Sequence, residues 1–279
     1  MIPAKFDYEV AESPEHAIAL LGETEDAKLL AGGHSLLPAM KLRIARPTLL
    51  VDIGRLDELS YVRDAGDQIA IGALTRHKDV RDAALLQEHC AIVSFTAGQV
   101  GDPQVRHRGT IGGSISHGDP ASDLPAVLFA LDAEMVVRGA SERIVPARDF
   151  CTGVFQTALT AGEMVVEIRV PKLGPSTGWS YTKMARRAQD WATVAVAAVV
   201  ERSNGSIASA SIALTNMGAT PVRARAAEEA IASGMGIDEA AALIGEGTNP
   251  PSDQAASADF RKHLAKVLGR RALHEAVGD

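Results

Sequence analysis

Two glycine pairs constrain this chain more than any other feature. One lies in Ala31-Gly32-Gly33-His34-Ser35-Leu36 and the other in Thr110-Ile111-Gly112-Gly113-Ser114-Ile115-Ser116, about 80 residues further on. A Gly-Gly step lets the backbone turn through φ > 0 and lets a ligand approach with no Cβ in the way. Successive N–H groups of such a bend can converge into a nest for an anion. The first pair runs into a predicted helix start at Ser35, whose dipole adds partial positive charge. A single Gly-Gly-x-Ser is more often an ordinary turn. Two of them suit the two phosphates of a pyrophosphate. Neither matches GxxxxGK[ST] or GxGxxG, so neither a P-loop nor a Rossmann fold is expected.

The rest of the chain narrows the classes. Its 279 residues, 46% hydrophobic, suffice for one large domain or two ordinary ones. Lys and Arg number 28 against 35 Asp and Glu, a net charge of −7, which argues against a nucleic-acid partner. The longest apolar run, Trp191 to Val200 broken only by Thr193, falls far short of the roughly 20 residues a bilayer span needs. The opening MIPAKFDYEV lacks the charged-then-apolar pattern of a secretory signal, so a cytoplasmic protein is expected. Cys90 and Cys151 form no CxxC, zinc site or disulfide framework. An iron–sulfur cluster takes about four thiolates, so the chain is not expected to hold one alone.

Local signals divide the chain near its middle. Ser13-Pro14-Glu15 opens a helix that stops near Gly22. Lys28 to Ala31 and Thr48 to Ile53 read as strands, with a helix from an N-cap at Ser35 through Met40, Leu42 and Ile44 between them. Tyr61 to Ala73 reads as a hairpin about Asp64-Ala65-Gly66-Asp67, followed by helices over 75–83 and 84–98. Gly101 to Pro125 reads as one long irregular segment, and such segments tend to be functional. A helix over 122–131 and strands over 134–138 and 162–171 complete the first part. Lys172 to Gly178, with two Gly and one Pro, reads as a linker. Strands follow over 179–187, 193–202 and 206–217, the last two joined by an Asn204-Gly205 type I′ turn, then helices over 222–234, 238–245 and 257–277. Strands followed by helices predict an α+β second domain.

The segments AGGHSLLPAMKLR (31–43) and DPQVRHRGTIGGSISHGDPASDLP (102–125) resemble the two FAD-binding signatures of the molybdenum-hydroxylase flavoprotein subunits, nearest to the medium subunits of the aerobic carbon-monoxide dehydrogenase group; xanthine dehydrogenase carries a related FAD domain. KMARRAQDWATVAVAAVV (183–200) resembles the start of that family's C-terminal domain. The resemblance implies an α+β fold: a two-lobed FAD-binding domain of the vanillyl-alcohol-oxidase type over 1–173, with lobes of about 1–56 and 57–173. A smaller α+β domain over 174–279 would follow, a three-stranded antiparallel sheet plus a helical bundle.

The same resemblance implies site roles. Leu29, Leu30, Ala31, Gly32, Gly33, His34, Ser35 and Leu36 would wrap the pyrophosphate and one flavin edge. Thr110, Ile111, Gly112, Gly113 and Ser114 would form the second phosphate loop. Asp123 would hydrogen-bond the polyol or adenosine portion, Val100 and Val165 would lie near the cofactor, Lys183 near the flavin ring, and Trp191 would shield the isoalloxazine. Ser114 and His117 stand where relatives commonly have Asp or Asn. No catalytic base and no metal ligand is implied in this chain. FAD would be non-covalent, although the His of a GGH loop is a covalent flavin attachment point in some vanillyl-alcohol-type enzymes.

The implied function is electron transfer. A small subunit with two [2Fe–2S] clusters would deliver electrons to FAD on this chain, which would pass them to an external acceptor. A large subunit with the molybdenum cofactor would oxidise the substrate, in a dimer of heterotrimers. Two other classes compete: a free-standing flavin oxidase of the vanillyl-alcohol type, which would turn over an alcohol alone, and a non-enzymatic nucleotide-binding module, which would stay colourless with FAD.

Overall fold

The computed structural model describes residues 1–203 and 206–278, so the Asn204-Gly205 turn lies outside the described residues. The first lobe runs β1 (Asp7–Val10), α1 (Pro14–Glu23), β2 (Lys28–Leu30), α2 (Leu36–Lys41) and β3 (Leu49–Asp52). The Ser13 hydroxyl caps α1, accepting the His16 N–H at 3.1 Å, and Pro14 occupies the first helical position. The strands form a parallel sheet in the order β1-β3-β2. β1 escapes a reading of hydrophobic periodicity because its residues are almost all exposed. The helix expected to reach Ile44 ends at Lys41, and Arg43 follows in the left-handed region at φ 61°.

The second lobe opens with the predicted hairpin, β4 (Val62–Ala65) and β5 (Gln68–Gly72). Three helices follow, α3 (His77–Asp82), α4 (Ala84–His89) and α5 (Ala91–Gln99). The helix expected over 84–98 is thus two, parted where Cys90 leaves helical geometry at φ −154°, ψ 57°. Gly101 to Pro125 is not irregular either: it holds α6 (Pro103–Arg106), α7 (Ile111–His117) and the start of α8 (Asp123–Ala130). Side chains at Asp102 and Thr110 cap α6 and α7, accepting the N–H groups of Val105 at 2.9 Å and Gly113 at 3.2 Å. Glycine is a poor helix former, which conceals α7 from a propensity reading. The lobe ends with β6 (Glu134–Arg138), β7 (Glu142–Pro146), α9 (Ala147–Phe150), β8 (Cys151–Gly153), β9 (Gln156–Thr157) and β10 (Met164–Pro171). Of these, β7, α9, β8 and β9 were not expected from the sequence.

The larger sheet has the order β4-β5-β10-β6-β7 and is antiparallel. Its central strand serves two cores. Met164 and Val166 pack with Ala17, Val51 and Leu74 towards the first lobe. Val165, Ile168 and Val170 pack with Ile71, Leu124 and Leu128 under the helices. A bulge between Val165 and Glu167 produces the change of face.

The C-terminal part comprises β11 (Thr177–Met184), β12 (Val194–Ser203), β13 (Ser206–Thr215), β14 (Val222–Arg223), α10 (Arg225–Ala232), α11 (Ile237–Ala241) and α12 (Ala258–Val277). The antiparallel sheet expected to have three strands has four, because the two residues of β14 add along β13. β12 explains the unbroken apolar run. Val194, Val196, Ala198 and Val200 face α10 to α12, while Ala195, Ala197 and Val199 face the second-lobe core. A central strand buried on both faces loses the usual alternation.

Candidate functional site

The two glycine loops meet. An ideal Cβ on Gly32 would lie 2.3 Å from the Arg108 carbonyl oxygen and 2.7 Å from Gly109 Cα. One on Gly113 would lie 3.9 Å from the Ala31 Cβ. Residue 32 is therefore glycine because the backbone entering the second loop passes where a side chain would sit. That backbone is itself fixed by a short antiparallel bridge between Arg76 and Thr110. In it the His77 N–H donates to the Gly109 carbonyl and the Ile111 N–H to the Thr75 carbonyl, both at 3.0 Å. Ala31, Gly54, Leu74, Arg76, Arg108 and Thr110 line a narrow cleft between the loops. A larger cavity, lined by Leu131, Leu173, Thr177, Val199, Glu201 and Ser211 among others, lies away from both loops.

The loops differ in what they offer an anion. At the first, Gly33 has φ +77°, and the N–H groups of Gly33, His34, Ser35 and Leu36 donate to no acceptor among the described residues. Ser35 does not cap α2 with its side chain, contrary to expectation, and its own backbone is helical at φ −103°, ψ −48°. The helical ladder instead begins with the Leu37 N–H on the Gly33 carbonyl at 3.0 Å. The first loop thus leaves four successive N–H groups open to an anion.

The second loop is not the φ > 0 nest its Gly-Gly step suggests. Gly112 and Gly113 lie in the first turn of α7. The N–H groups of Ile111, Gly112 and Ser114 bond the carbonyls of Thr75, Ala73 and Thr110, and that of Gly113 bonds the Thr110 hydroxyl. Gly112 is glycine for packing: an added Cβ would lie 2.6 Å from the Ala73 Cβ. This loop offers the bare, exposed Cα of Gly113, half-buried Ser114, and Thr110, which is buried and accepts the Gly113 N–H but lines the cleft.

Positive charge borders the cleft. Arg76 and Arg108 are exposed and have no carboxylate partner among the described residues. Beneath the second loop, His77 is almost fully buried and its Nδ1 has no partner among the described residues. Burial, with the Arg106 and His34 charges, pushes its imidazole down to about 4. Arg76 and His77, more than 30 residues before the second loop, carried no sequence signal of a role at the site; Arg108 stands in the basic run Arg106-His107-Arg108 that leads into that loop.

The remaining expected residues fall into three groups. Leu29 and Leu30 end β2 and enter the first loop, half-buried. Val100 and Val165 are buried in the second-lobe core. Asp123 and Lys183 are found on each other: the Lys183 ammonium donates to Asp123 Oδ2 at 3.0 Å and to the Gln99 carbonyl at 3.3 Å, while the Tyr181 hydroxyl donates to Asp123 Oδ1 at 2.6 Å. Both side chains are nearly buried, so this is an ion pair between α8 and β11. Burial pushes the Asp123 carboxyl upward against the pull of Lys183 and Tyr181, and pushes the Tyr181 hydroxyl well above its ordinary range. Trp191 stands apart as a 55% exposed side chain on the connection between β11 and β12. His117, half-buried, packs against exposed Phe155 with ring centroids 5.0 Å apart and the rings tilted by 48°.

These residues fit a dinucleotide. The first loop supplies unpaired N–H donors, the second hydroxyls, and unpartnered guanidinium groups flank both. Comparison with known proteins agrees. The model for the FAD binding domain in molybdopterin dehydrogenase matches residues 4–173, and that for the CO dehydrogenase flavoprotein C-terminal domain matches 179–276. The carbon monoxide dehydrogenase medium chain of Hydrogenophaga pseudoflava is 40% identical over 282 residues, covering 99% of this chain and 98% of that one. The glyceraldehyde dehydrogenase medium chain of Sulfolobus acidocaldarius is 38% identical, covering 99% and 100%. Among solved structures, carbon monoxide dehydrogenase from Hydrogenophaga pseudoflava superposes with a TM-score of 0.96 at 42% identity over 99% of this chain and 98% of that one. Quinoline 2-oxidoreductase from Pseudomonas putida superposes with a TM-score of 0.93 at 31% identity over 99% and 98%. The chain belongs to the FAD-binding medium subunits of the molybdenum hydroxylases, of the carbon-monoxide-dehydrogenase-like type, which work within multisubunit oxidoreductases. No helix among the described residues is long and apolar enough to cross a membrane.

Proposed function

We propose that the chain holds one non-covalent FAD between its two loops and serves as the electron-transfer subunit of a heteromeric hydroxylase. It takes electrons from the [2Fe–2S] clusters of a small subunit and hands them to an external acceptor, while a large subunit with the molybdenum cofactor oxidises the substrate. The observation that carries this reading is the contact of Gly32 with the Arg108 backbone, which makes one cleft of two loops far apart in sequence. Bound FAD supplies the electron-accepting and electron-donating chemistry.

The protein's task is to grip and shield. The N–H groups of residues 33–36, which have no acceptor among the described residues, would hold one phosphate, and the Thr110 and Ser114 hydroxyls, beside the bare Gly113, would hold the other. Arg76 and Arg108 balance the diphosphate charge. Leu29, Leu30 and Ala31 bring the chain to the cleft, Ile111 and Gly112 seat the second loop on Ala73, and Val100 and Val165 stiffen the core behind it. Asp123 and Lys183 act on each other, with Tyr181, and so lock the C-terminal sheet to α8; we assign them to that contact in place of a direct flavin contact. Trp191 covers the ring.

The division into a FAD-binding domain over 1–173, with lobes of about 1–56 and 57–173, and a C-terminal domain over 174–279 is supported by their separate sheets. A dimer of heterotrimers in the cytoplasm completes the proposal. A free-standing oxidase of the vanillyl-alcohol type is not favoured, since the relatives that match along the whole chain carry the names of medium chains and subunits of dehydrogenases. The test is purification of the tagged chain from its own source. Equimolar FAD together with an iron–sulfur subunit and a molybdenum-containing subunit is the expected result. A lone yellow protein that oxidises alcohols would overturn the proposal.

A further inference from the structure

Trp191 is the most exposed aromatic side chain of the C-terminal part, yet the chain beside it is tightly held. Ala192 is 1% exposed and Thr193 7%, so the backbone passes from open surface to core within two residues. Three elements hold it there. The Thr193 N–H donates to the Met184 carbonyl at 2.8 Å across the mouth of β11 and β12. The Asn216 carboxamide, just past β13, donates to the Ala192 carbonyl at 2.8 Å and to the Thr193 carbonyl at 3.4 Å. The Arg261 guanidinium, on α12, donates to the Thr193 carbonyl as well.

Neither side chain is placed there by hydrophobic packing. Arg261 is a charge with 0% exposure. Taking a guanidinium out of water costs several kcal/mol unless it is paired. Here its Nη2 donates to both Asp253 oxygens, at 2.8 and 2.7 Å, while Nη1 serves the Thr193 carbonyl. Against the upward pull of burial, the Ala255 and Ala256 N–H groups and Arg261 hold the Asp253 carboxyl below its usual range. Asn216 sits in the left-handed region at φ 61°, which Asn tolerates better than most residues. That conformation also aims its N–H at the Pro120 carbonyl, at 2.8 Å. Pro120 lies in the turn between α7, which begins at the second glycine loop, and α8, which carries Asp123. Asn216 thus ties the segment bearing Trp191 to the same piece of chain that forms the cofactor cleft.

We infer that Asn216 and Arg261 are positioning residues that fix Trp191 over the open face of the bound flavin. This rests on the proposed placement of Trp191 at the ring, and the test separates the two. In a Trp179→Phe background Trp191 is the sole tryptophan. Its steady-state anisotropy in the FAD-free full chain reports the hold directly. Asn216→Gly keeps the left-handed backbone and removes the carboxamide, while Arg261→Lys keeps the charge but replaces two nitrogens, one on Asp253 and one on Thr193, by a single ammonium. Both are expected to lower the anisotropy and to raise flavin fluorescence severalfold in the FAD-loaded chain. Asn216→Asp retains the backbone but offers carboxylate oxygens to two carbonyls, and is expected to behave as Asn216→Gly. FAD affinity should change less than threefold in all three. Unchanged anisotropy in variants that stay folded would overturn the positioning role. If Trp191→Phe leaves flavin fluorescence unchanged, Trp191 does not touch the ring, and the inference falls with that placement even where the anisotropy drops.

Discussion

Gly32→Ala is the sharpest perturbation of the cleft. The added methyl would stand 2.3 Å from the Arg108 carbonyl oxygen, 2.8 Å from its carbon and 2.7 Å from Gly109 Cα, where ordinary contact begins near 3.4 Å. All three atoms are backbone, so no rotamer relieves the clash, and the loops must part by about 1 Å. Overpacking of this kind costs about 1–3 kcal/mol. The parting falls directly on the distance between the first loop's N–H donors and the second loop's hydroxyls. If half or more of that energy is lost from binding, the Kd for FAD rises by about 2- to 150-fold. Flavin fluorescence titration of the deflavinated chain measures it, with urea unfolding of the FAD-free chain as the companion. Gly22→Ala is the control, because a Cβ there meets nothing within 4 Å and lies in α1, where Ala is preferred by roughly 1 kcal/mol. A Gly32→Ala chain that binds FAD within twofold of the parent would refute the reasoning that the two loops grip one ligand.

Three further outcomes follow from the same geometry. Lys183→Met should destabilise the FAD-free chain by about 2–4 kcal/mol, because it strands the buried Asp123 carboxylate with Tyr181 alone, whereas Tyr181→Phe should cost about 1–2 kcal/mol; equal and negligible effects in urea unfolding would mean that the ion pair is not formed. His77 is held neutral, its pKa pushed down to about 4 by burial and neighbouring positive charge. The unfolded chain takes up that proton near pH 6.5 and the folded chain only near pH 4, so stability from this group is full above pH 6.5 and is lost as pH falls towards 4, on the order of 3 kcal/mol at most. Urea midpoints at pH 7.5 and 4.5 should therefore converge in His77→Gln relative to the parent, and a parallel pH dependence in both chains would remove His77 as the cause. Thr110→Val should weaken FAD binding by about 1–2 kcal/mol, since it deletes the cap of α7 together with the hydroxyl offered to phosphate; a FAD affinity equal to the parent's would show that this hydroxyl makes no contact.

The strong local signals carried most of the architecture. Ser13-Pro14 placed α1, the Asp64 to Asp67 turn placed the β4–β5 hairpin, and the apolar run at 194–200 marked the strand buried on both faces. What escaped depended on contacts distant in sequence. β1 is an exposed strand paired only through β3, and β14 is two residues long. α7 was hidden because its first turn holds two glycines, one of them required by the Ala73 backbone, a neighbour nearly 40 residues away. At the site, composition located both loops but assigned them the same physics. Only the fold reveals that the first leaves its N–H groups free while the second uses them internally. It likewise takes the fold to show that the Lys183 ammonium and the Asp123 carboxylate meet across 60 residues and answer each other's charge.

The most direct test of the central claim is a structure of the chain, or of its complex, with FAD bound. One diphosphate is expected between the loops, its oxygens within hydrogen-bond reach of the N–H groups of residues 33–36 on one side and of the Thr110 or Ser114 hydroxyls on the other. A diphosphate bound against one loop alone, or in the cavity beside Leu131 and Glu201, would contradict it.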